Sequence, residues 1–300
     1  MNKTCIIILG PTAVGKTSLG IQLAQHFSTE IISADSRQCY KELNIGVAKP
    51  SSAQLQQVPH YFINSHSIAE NVNAAAFETY ALEKTRQIFN HHDVVVMVGG
   101  TGLYIKAFCG GIDPIPPTKP GIRENIIAAY QANGIGWLQE EVKRNDPVYY
   151  AAGEIKNPHR LMRALEVVLS TGQSIVSFQQ KQQIKRDFDI IKIGLELPKD
   201  ELYNRINTRV DIMMAEGLPD EVKSLQPYRE LNALQTVGYK ELFSHFNGGI
   251  SMQEAIEAIK INTRHYAKRQ MTWFKKDKSV TWCSPEYRDM SEKLEQIMPH

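Results

Sequence analysis

The chain has 300 residues, 42% of them hydrophobic, and its 34 Lys and Arg against 32 Asp and Glu give a formal net charge of +2. This size and composition suit a folded enzyme of one or two domains, and the four scattered cysteines, which form no CxxC pair, do not indicate a zinc site or a disulfide framework. No apolar run approaches the ~18 residues of a membrane span and residues 1–9 contain no export-type cleavage region, so we expect a cytoplasmic protein without a membrane partner.

The first predicted elements are a strand, a loop and a helix. Cys5 to Leu9 is apolar throughout, a glycine-rich turn follows, and Leu19, Leu23 and Phe27 then recur at four-residue spacing. Further strands are predicted at Glu30 to Ala34, Val94 to Val98, Ile190 to Leu197 and, as an edge strand, Ser279 to Cys283. Because strands that are apolar throughout are covered on both faces, these runs predict an α/β fold in which helices flank a parallel sheet.

A segment dense in glycine and proline, residues 110–120, interrupts this pattern, and helical patterns continue from there to the strand at Ile190. We therefore predict an inserted helical domain over residues 113–187. The catalytic core is then formed by residues 1–112 and 188–300.

One helix of the insert is signalled at both ends. Asn157 can cap it, Pro158 suits its first position, and Gly172 follows its last periodic residue. Arg160 and Arg163 are three residues apart near its beginning, so they lie on one face of the helix.

The strongest motif is a complete GxxxxGK[ST] sequence between the first strand and the first helix. It consists of Gly10, Pro11, Thr12, Ala13, Val14, Gly15, Lys16 and Thr17, and is called the P-loop below. Its glycines let backbone N–H groups converge on an anion, Lys16 neutralises phosphate oxygens, and Thr17 can ligate Mg²⁺. The motif predicts a phosphate site in a P-loop NTPase-like fold, without indicating whether the phosphate belongs to ATP.

Two strand ends bear on the chemistry beside this site. The strand Val94 to Val98 ends in Gly99-Gly-Thr-Gly102 without a carboxylate, whereas ATP-hydrolysing P-loop enzymes often place an acidic Mg²⁺ ligand there. Asp35 ends the second strand, and ligands of open α/β sheets bind at the carboxyl ends of strands, so Asp35 and the P-loop can face one cleft. Asp35 could accept a proton there, and capping of a helix explains its position equally well.

Positive charge is concentrated near the C-terminus. The cluster consists of Lys260, Arg264, Lys268, Arg269, Lys275, Lys276 and Lys278, interrupted only by Asp277. Lys260, Arg264 and Lys268 recur at four-residue spacing and Thr272 and Lys276 continue the row, which therefore winds slowly round a helix. Such a row suits a nucleic-acid backbone, and a solvated helix face explains it equally well.

Taken together, these motifs resemble the tRNA dimethylallyltransferase family, also called tRNA isopentenyltransferases, over nearly the whole chain. The blocks that carry the resemblance are GPTAVGKT at 10–17, DSRQCY at 35–40, AKP at 48–50, GGTGLY at 99–104, NPHRLMRALE at 157–166, RINTRVD at 205–211, VGYKE at 237–241 and TRHYAKRQMTWF at 263–274. The P-loop alone would have indicated only a phosphate-binding protein. Coincidence does not explain a match to the same family in so many separate blocks along the chain.

The resemblance implies that the P-loop binds the diphosphate of dimethylallyl diphosphate, with Mg²⁺, rather than ATP. Asp35 would be the general base for the exocyclic amine of the adenosine immediately 3′ of the anticodon, and Lys16, Thr101 and Arg209 would act at the diphosphate. Positions that match tRNA contacts are Asp35, Ser36, Arg37, Gln38, Thr101, Arg123, His159, Arg160, Leu161, Met162, Arg163, Lys268, Arg269, Gln270, Trp273 and Lys275. The implied enzyme is a monomer whose partners are the donor and the anticodon stem-loop of tRNA.

The chain departs from the family pattern at two places. The family usually has an Asp and a Thr where this chain has Asn44 and Val47, and often a His pair where it reads His60-Tyr61. Val47 cannot donate the hydrogen bond that a Thr would. These changes affect contacts on the substrate side and leave the P-loop and Asp35 intact.

Three other activities fit part of the sequence. A small-molecule kinase would hold ATP in the P-loop and use Asp35 to activate a hydroxyl. This leaves unexplained the basic helix and the basic insert, where residues 119–186 contain ten Lys and Arg against six Asp and Glu. An isopentenyltransferase acting on free adenine nucleotides would share the donor site without needing the blocks that match tRNA contacts. A non-catalytic RNA-binding protein with a nucleotide switch is disfavoured by Asp35 beside an intact P-loop.

Overall fold

Six parallel strands form one sheet in the order β3-β2-β4-β1-β5-β6 within the residues that the computed structural model describes, 3–179 and 184–297. The strands are β1 Thr4–Leu9, β2 Ile31–Ala34, β3 His60–Tyr61, β4 Val94–Gly99, β5 Asp189–Leu195 and β6 Val280–Cys283. Every residue of the central strand β1 is buried, as expected for a strand covered by helices on both faces. The sheet therefore has the predicted α/β architecture, a P-loop-like parallel sheet.

The predicted strands agree with the observed ones to within two residues, and the predicted edge strand is β6, at one end of the sheet. The fifth strand ends at Leu195, earlier than the predicted Leu197, and the next helix begins at Lys199, directly after Pro198. Strand β3 was not predicted. It is only two residues long and half-buried, which is too short for a hydrophobic period to reveal.

Helices connect the strands in the order that parallel pairing requires. Within the described residues they are α1 Lys16–His26, α2 Ser52–Gln57, α3 Ala74–Phe89, α4 Gly102–Gly110, α5 Ile122–Asn145, α6 Pro147–Ala152, α7 Pro158–Thr171, α8 Lys199–Ala215, α9 Leu218–Ser224, α10 Tyr239–Phe246, α11 Met252–Phe274 and α12 Tyr287–Ile297. None of these described helices is long and apolar enough to span a bilayer.

The chain divides into two compact units. The core unit comprises Met1–Gly110 and Lys185–His300, and the inserted unit comprises Gly111–Ile184. These bounds lie within three residues of the boundaries expected from the sequence. The role of the inserted unit in tRNA binding remains a prediction.

The inserted unit has a hydrophobic core of its own between α5, α6 and α7, which includes Leu138, Val142, Leu161 and Leu165. The predicted ends of α7 are confirmed. The side chain of Asn157 accepts hydrogen bonds from the N–H groups of His159 and Arg160, Pro158 occupies the first turn, and Gly172 ends the helix with a φ of 73°.

Candidate active site

The P-loop forms the turn between β1 and α1. The backbone angle φ is positive at Gly10 (148°), Ala13 (67°) and Gly15 (111°), and α1 begins directly afterwards at Lys16. Glycine is required at position 10, since a Cβ there would lie 2.7 Å from the carbonyl oxygen of Leu195. Repeated reversals of φ make successive N–H groups converge, and together with the beginning of a helix they form an anion site.

The ammonium group of Lys16 lies against this turn and donates a hydrogen bond to the carbonyl oxygen of Pro11 at 2.6 Å. Desolvation lowers the pKa of Lys16 to about 7; the nearby Asp35 carboxylate opposes this shift and the Arg209 guanidinium adds to it. A desolvated amine regains its charge when an anion enters beside it. Lys16 therefore favours an anionic ligand.

Arg209, on α8, brings a second cation to the P-loop. Its Nη1 lies 3.5 Å from the hydroxyl of Thr12, and desolvation lowers the pKa of the guanidinium from its usual value. The backbone N–H of Thr12 donates to Oε1 of Gln270 on α11 at 2.9 Å. Helices α8 and α11 thus both contact the P-loop at Thr12.

Asp35 directly follows β2. Its Oδ1 accepts hydrogen bonds from the backbone N–H groups of Arg37 at 2.8 Å and Gln38 at 3.2 Å. Asp35 therefore caps the turn formed by residues 36–39 and not a helix, which corrects the helix-cap alternative. No described residue donates a hydrogen bond to Oδ2, so this oxygen can accept a proton.

Thr101 lies where β4 ends, next to the Asp35 turn. Its Oγ1 accepts a hydrogen bond from the N–H of Ser36 at 3.0 Å, and its own N–H donates to the carbonyl oxygen of Ala34 at 3.2 Å. Thr101 thereby connects the carboxyl ends of β2 and β4 and fixes the backbone beside Asp35.

The P-loop and Asp35 line one cavity of about 40 Å³. Its polar lining consists of Lys16, Thr17, Ser33, Asp35, Gln38 and His60, and Ile31, Pro50, Ile63 and Val98 form its apolar lining. Strand ends that meet at one edge of the sheet place these residues together, as the sequence predicted. One cavity thus contains an anion site with a cation, Lys16, and a carboxylate, Asp35. Such a pair can serve a transfer reaction in which one reactant carries an anion and the other gives up a proton.

The amide of Gln38 is held at both ends. Its Nε2 donates to the carbonyl oxygens of Val47 at 3.2 Å and Ala48 at 3.0 Å, and its Oε1 accepts from the hydroxyl of Ser33 at 3.3 Å. Because Val47 contributes its backbone carbonyl, the replacement of a Thr side chain at this position leaves the contact with Gln38 intact.

Glu221, on α9, anchors the other side of the same loop. Its carboxylate accepts hydrogen bonds from the N–H groups of Ile45 at 2.7 Å and Gly46 at 3.1 Å and from the hydroxyl of Tyr239 at 2.6 Å. No pattern in the sequence pointed to Glu221, because its partner Ile45 is 176 residues away along the chain.

Helix α11 carries the basic surface that the sequence predicted. Lys268, Arg269 and Trp273 are exposed there, and they line a groove of about 350 Å³ together with His265, Thr272 and Lys276. Trp273 keeps 40% of its surface exposed while its indole packs on the backbone of Gly102, where a Cβ would lie only 2.3 Å from Cδ1. Lys275 is exposed as well, but it pairs with Glu196 at 2.7 Å.

The row of basic residues along α11 has two parts, and its last member, Lys276, lies two residues beyond the end of the helix and not, as the sequence predicted, on it. Lys260 lies 2.8 Å from a carboxylate oxygen of Asp211, and Arg264 donates to the side chain of Asn207 at 2.8 Å. Lys268 and Lys276 have no ion-pair partner within the described residues. Only the C-terminal part of the row offers cations that are free to bind phosphates.

Gln270 is buried between these exposed neighbours, with 7% of its surface accessible. The resemblance implied a tRNA contact at this position. The structure instead places the amide inside the core unit, where it bonds to Thr12 and to the carbonyl oxygen of Gly100 at 2.9 Å. The cause is helical periodicity, which turns position 270 toward the sheet while positions 268 and 269 face outward.

In the inserted unit, Arg123 and Arg163 share one carboxylate. Their Nη1 atoms lie 2.6 Å and 3.1 Å from the two oxygens of Glu166, whose side chain is 1% exposed. The two guanidinium side chains remain 55% and 39% exposed. Glu166 therefore orients both arginines at the surface, a role that the charge pattern alone did not indicate.

The segment 159–163 divides into exposed and buried positions. His159 and Arg160 are exposed, and Arg160 pairs with Glu154. Leu161 and Met162 are instead buried in the core of the inserted unit, because the helix turns these positions inward. Their side chains therefore pack inside the inserted unit and not at its surface, and the tRNA contact that the resemblance implied for this segment stays a prediction.

The P-loop supplies the residue that could hold a metal. Among the described residues, no group of three His, Cys, Asp or Glu side chains is placed to bind one. Thr17, at the first turn of α1, lines the same cavity as Lys16 and Asp35. Mg²⁺ needs few protein ligands when phosphate oxygens and waters complete its coordination, so this arrangement fits a magnesium ion that enters with a diphosphate.

Comparison with known proteins agrees with this geometry. A family model described as IPP transferase matches residues 38–277. The tRNA dimethylallyltransferase of Christiangramia forsetii is 49% identical over 94% of this chain and 93% of its own length. The tRNA dimethylallyltransferase 1 of Bacteroides thetaiotaomicron is 47% identical over 94% of this chain and 92% of its own.

Solved structures give the same result. The tRNA isopentenylpyrophosphate transferase from Bacillus halodurans superposes with a TM-score of 0.70 at 35% identity, over 98% of this chain and 94% of that one. A eukaryotic dimethylallyltransferase acting on tRNA superposes with a TM-score of 0.78 at 26% identity, over 97% of this chain and 76% of that one. Since sequence and fold agree over nearly the whole length, the chain belongs to the IPP transferase family.

Proposed function

We propose that this protein transfers a dimethylallyl group from dimethylallyl diphosphate to the exocyclic amine of an adenosine in tRNA and releases diphosphate. The observation that carries the proposal is the single cavity lined by Lys16, Thr17 and Asp35. The family supports it, since relatives that match over most of their length bear the name tRNA dimethylallyltransferase.

The P-loop binds the diphosphate of the donor. Lys16 exchanges the carbonyl oxygen of Pro11 for a phosphate oxygen and becomes fully charged, while Arg209 adds a second cation beside Thr12. Negative charge grows on the diphosphate as its bond to the allylic carbon breaks. Preorganised N–H groups and cations stabilise that charge most in the transition state, which accelerates the step.

The same site suits Mg²⁺ as the cofactor. Thr17 would contribute its hydroxyl as the protein ligand, and diphosphate oxygens and waters would fill the other positions. A bound magnesium ion would supply further positive charge for the leaving diphosphate.

Asp35 is the general base. The exocyclic nitrogen forms a bond with the allylic carbon, the bond from that carbon to the diphosphate oxygen breaks, and the nitrogen loses a proton to Oδ2. Two backbone N–H groups on Oδ1 hold the carboxylate in place for this transfer. An adenine amine is a poor nucleophile until its proton can leave, which makes a positioned base necessary.

The acceptor is the adenosine immediately 3′ of the anticodon. A base in a stacked loop must turn outward before an enzyme can act on its amine. Lys268 and Arg269 on the core unit, and Arg123 and Arg163 on the inserted unit, are exposed cations that suit tRNA phosphates. One chain carries the P-loop, Asp35 and these cations, so the proposed reaction needs no residue from a second copy.

Incubation with radiolabelled dimethylallyl diphosphate, Mg²⁺ and a synthetic anticodon stem-loop tests the proposal. We expect label in the RNA and release of one diphosphate for each group transferred. A matched stem-loop carrying purine riboside, which has no exocyclic amine, in place of the target adenosine should take up no label.

Two outcomes would favour other activities. Label on free adenosine monophosphate but not on the stem-loop would indicate an enzyme for free nucleotides. Tighter binding of ATP than of dimethylallyl diphosphate, with no label in RNA, would indicate a kinase.

A further inference from the structure

Gln270 lies in the middle of the basic helix α11 but takes no part in its basic surface. The preceding residues Lys268 and Arg269 are exposed, whereas only 7% of Gln270 is accessible. A buried side-chain amide needs partners for its hydrogen-bonding groups, and the identity of those partners indicates what the residue holds in place.

The two ends of the side-chain amide form hydrogen bonds with the P-loop and with the residue that follows β4. Oε1 accepts a hydrogen bond from the backbone N–H of Thr12, in the P-loop, at 2.9 Å. Nε2 donates to the carbonyl oxygen of Gly100, just after β4, also at 2.9 Å. A Cβ at Gly100 would lie 2.4 Å from Nε2, so the glycine provides the space that the amide occupies.

Each of these two partners, Thr12 and Gly100, is next to a different functional part of the site. The hydroxyl of Thr12 lies 3.5 Å from Arg209, the second cation of the donor site. Gly100 precedes Thr101, whose hydroxyl oxygen accepts a hydrogen bond from the N–H of Ser36, the residue after the proposed base Asp35. The side chain of Gln270 therefore connects the P-loop to the end of β4, and the end of β4 in turn contacts the Asp35 turn through Thr101.

We infer that Gln270 is a positioning residue of the donor site. It holds Thr12 at a fixed distance from the end of β4, and so keeps the P-loop in the conformation that receives a diphosphate. The inference rests on the proposed function and deepens it. It assigns Gln270 to the donor, although neighbouring residues on the same helix face outward toward tRNA.

The variant Gln270→Met tests this assignment, because it keeps the length of the side chain and removes both hydrogen bonds. We expect the KM for dimethylallyl diphosphate and the Kd for magnesium pyrophosphate to rise about three- to tenfold, the effect of one or two lost hydrogen bonds. The Kd for an anticodon stem-loop should stay within twofold of the wild-type value. A role in tRNA contact predicts the opposite pattern.

Gly100→Ala provides an independent route to the same result. Its Cβ would push the amide of Gln270 away without altering Gln270 itself, so pyrophosphate binding should weaken to a similar extent. Arg269→Gln is the matched control on the exposed side of α11. It should weaken the stem-loop and leave the Kd for pyrophosphate unchanged.

The inference is overturned if folded Gln270→Met and Gly100→Ala both bind pyrophosphate as tightly as the wild type. It is also overturned if Gln270→Met loses affinity for the stem-loop alone. Melting temperatures establish that each variant is folded, and Gly100→Ala decides the question if Gln270→Met is not. A wild-type protein that binds pyrophosphate but transfers no prenyl group would instead reject the proposed function, since pyrophosphate binding is measured separately from transfer.

Discussion

The cavity that holds Lys16 and Asp35, which we propose as the donor site, and the basic surface of α11 belong to the same unit of the protein but are built differently. At the donor site the functional groups are held in place: Lys16 is desolvated and bonded to Pro11, and Asp35 accepts two backbone N–H groups. Lys268 on α11 and Lys276, two residues beyond the end of that helix, are exposed and, within the described residues, form no ion pair.

This difference determines how each region should respond to change. A desolvated, preorganised group interacts strongly with its ligand, so its removal has a large effect that salt hardly alters. An exposed cation contributes through screened attraction, and its removal has a small effect that depends on ionic strength. Mutations can therefore test the distinction directly.

The largest effect is expected at the base. Asp35→Asn keeps an oxygen that can accept the N–H groups of Arg37 and Gln38 but cannot take a proton from the amine. Single-turnover transfer with saturating substrates should fall on the order of 10²- to 10⁴-fold, with pyrophosphate affinity unchanged. Glu42→Gln, which alters an exposed carboxylate outside the cavity, is the matched control and should keep full turnover. Near wild-type turnover by Asp35→Asn would mean that another group accepts the proton.

The next effect is expected at the P-loop lysine. Lys16→Met should weaken magnesium pyrophosphate by about 10- to 100-fold, the range for hydrogen bonds to charged groups, and should lower turnover as well. The free enzyme should not lose stability, because burial disfavours the charged form of the Lys16 amine and the variant removes that buried amine. Calorimetry and thermal melting measure the two quantities. Unaltered pyrophosphate affinity would remove Lys16 from the donor site.

The pH dependence of donor binding follows from the same lysine. Its pKa is about 7 in the free protein, so it is charged below that pH and loses its proton above it. A bound diphosphate favours the charged form and raises the pKa, so binding above pH 7 must take up a proton. The Kd for a dimethylallyl thiolodiphosphate should therefore rise by up to about tenfold per pH unit between pH 7 and 9, where the ligand's own ionisation no longer changes. Lys16→Met should remove this slope, and a wild-type Kd independent of pH would contradict the assignment.

The sequence predicted that the P-loop and Asp35 face one cavity because the signals for both are local. The P-loop lies within eight consecutive residues after a buried strand, and Asp35 directly follows the next strand, so position along the chain specifies position in the fold. The long apolar strands were predictable for the same reason. Strand β3, with two half-buried residues, has too few positions to show a period.

Other parts of the site depend on contacts between distant segments. Gln270 meets Thr12 across 258 residues, and Glu221 meets Ile45 across 176. Neither contact leaves a pattern in the sequence around the residue. In α11, the family resemblance implied a tRNA contact for Gln270, whereas the direction in which the helix turns that position decides its partners in the structure.

The smallest effect is expected at two exposed cations, Lys268 on α11 and Lys276 just beyond the end of that helix. Lys268→Gln and Lys276→Gln should each weaken the stem-loop modestly and reduce the slope of log affinity against log salt by about 0.7 to 0.9, the value for one phosphate contact. Their free energies of unfolding should change by less than about 0.5 kcal/mol. Titrations at several salt concentrations give both the affinity and the slope.

Lys260→Gln is the matched control for this prediction. It lies on the same row of the helix, but its ammonium already pairs with Asp211 and its side chain is only 15% exposed. Removing it should leave the salt slope unchanged. If all three variants lowered the slope equally, the charge of the whole row would attract RNA regardless of pairing. If none did, α11 would be a solvated helix beside the donor site, and the tRNA phosphates would have to meet other cations, with the arguments for Lys16 and Asp35 unaffected.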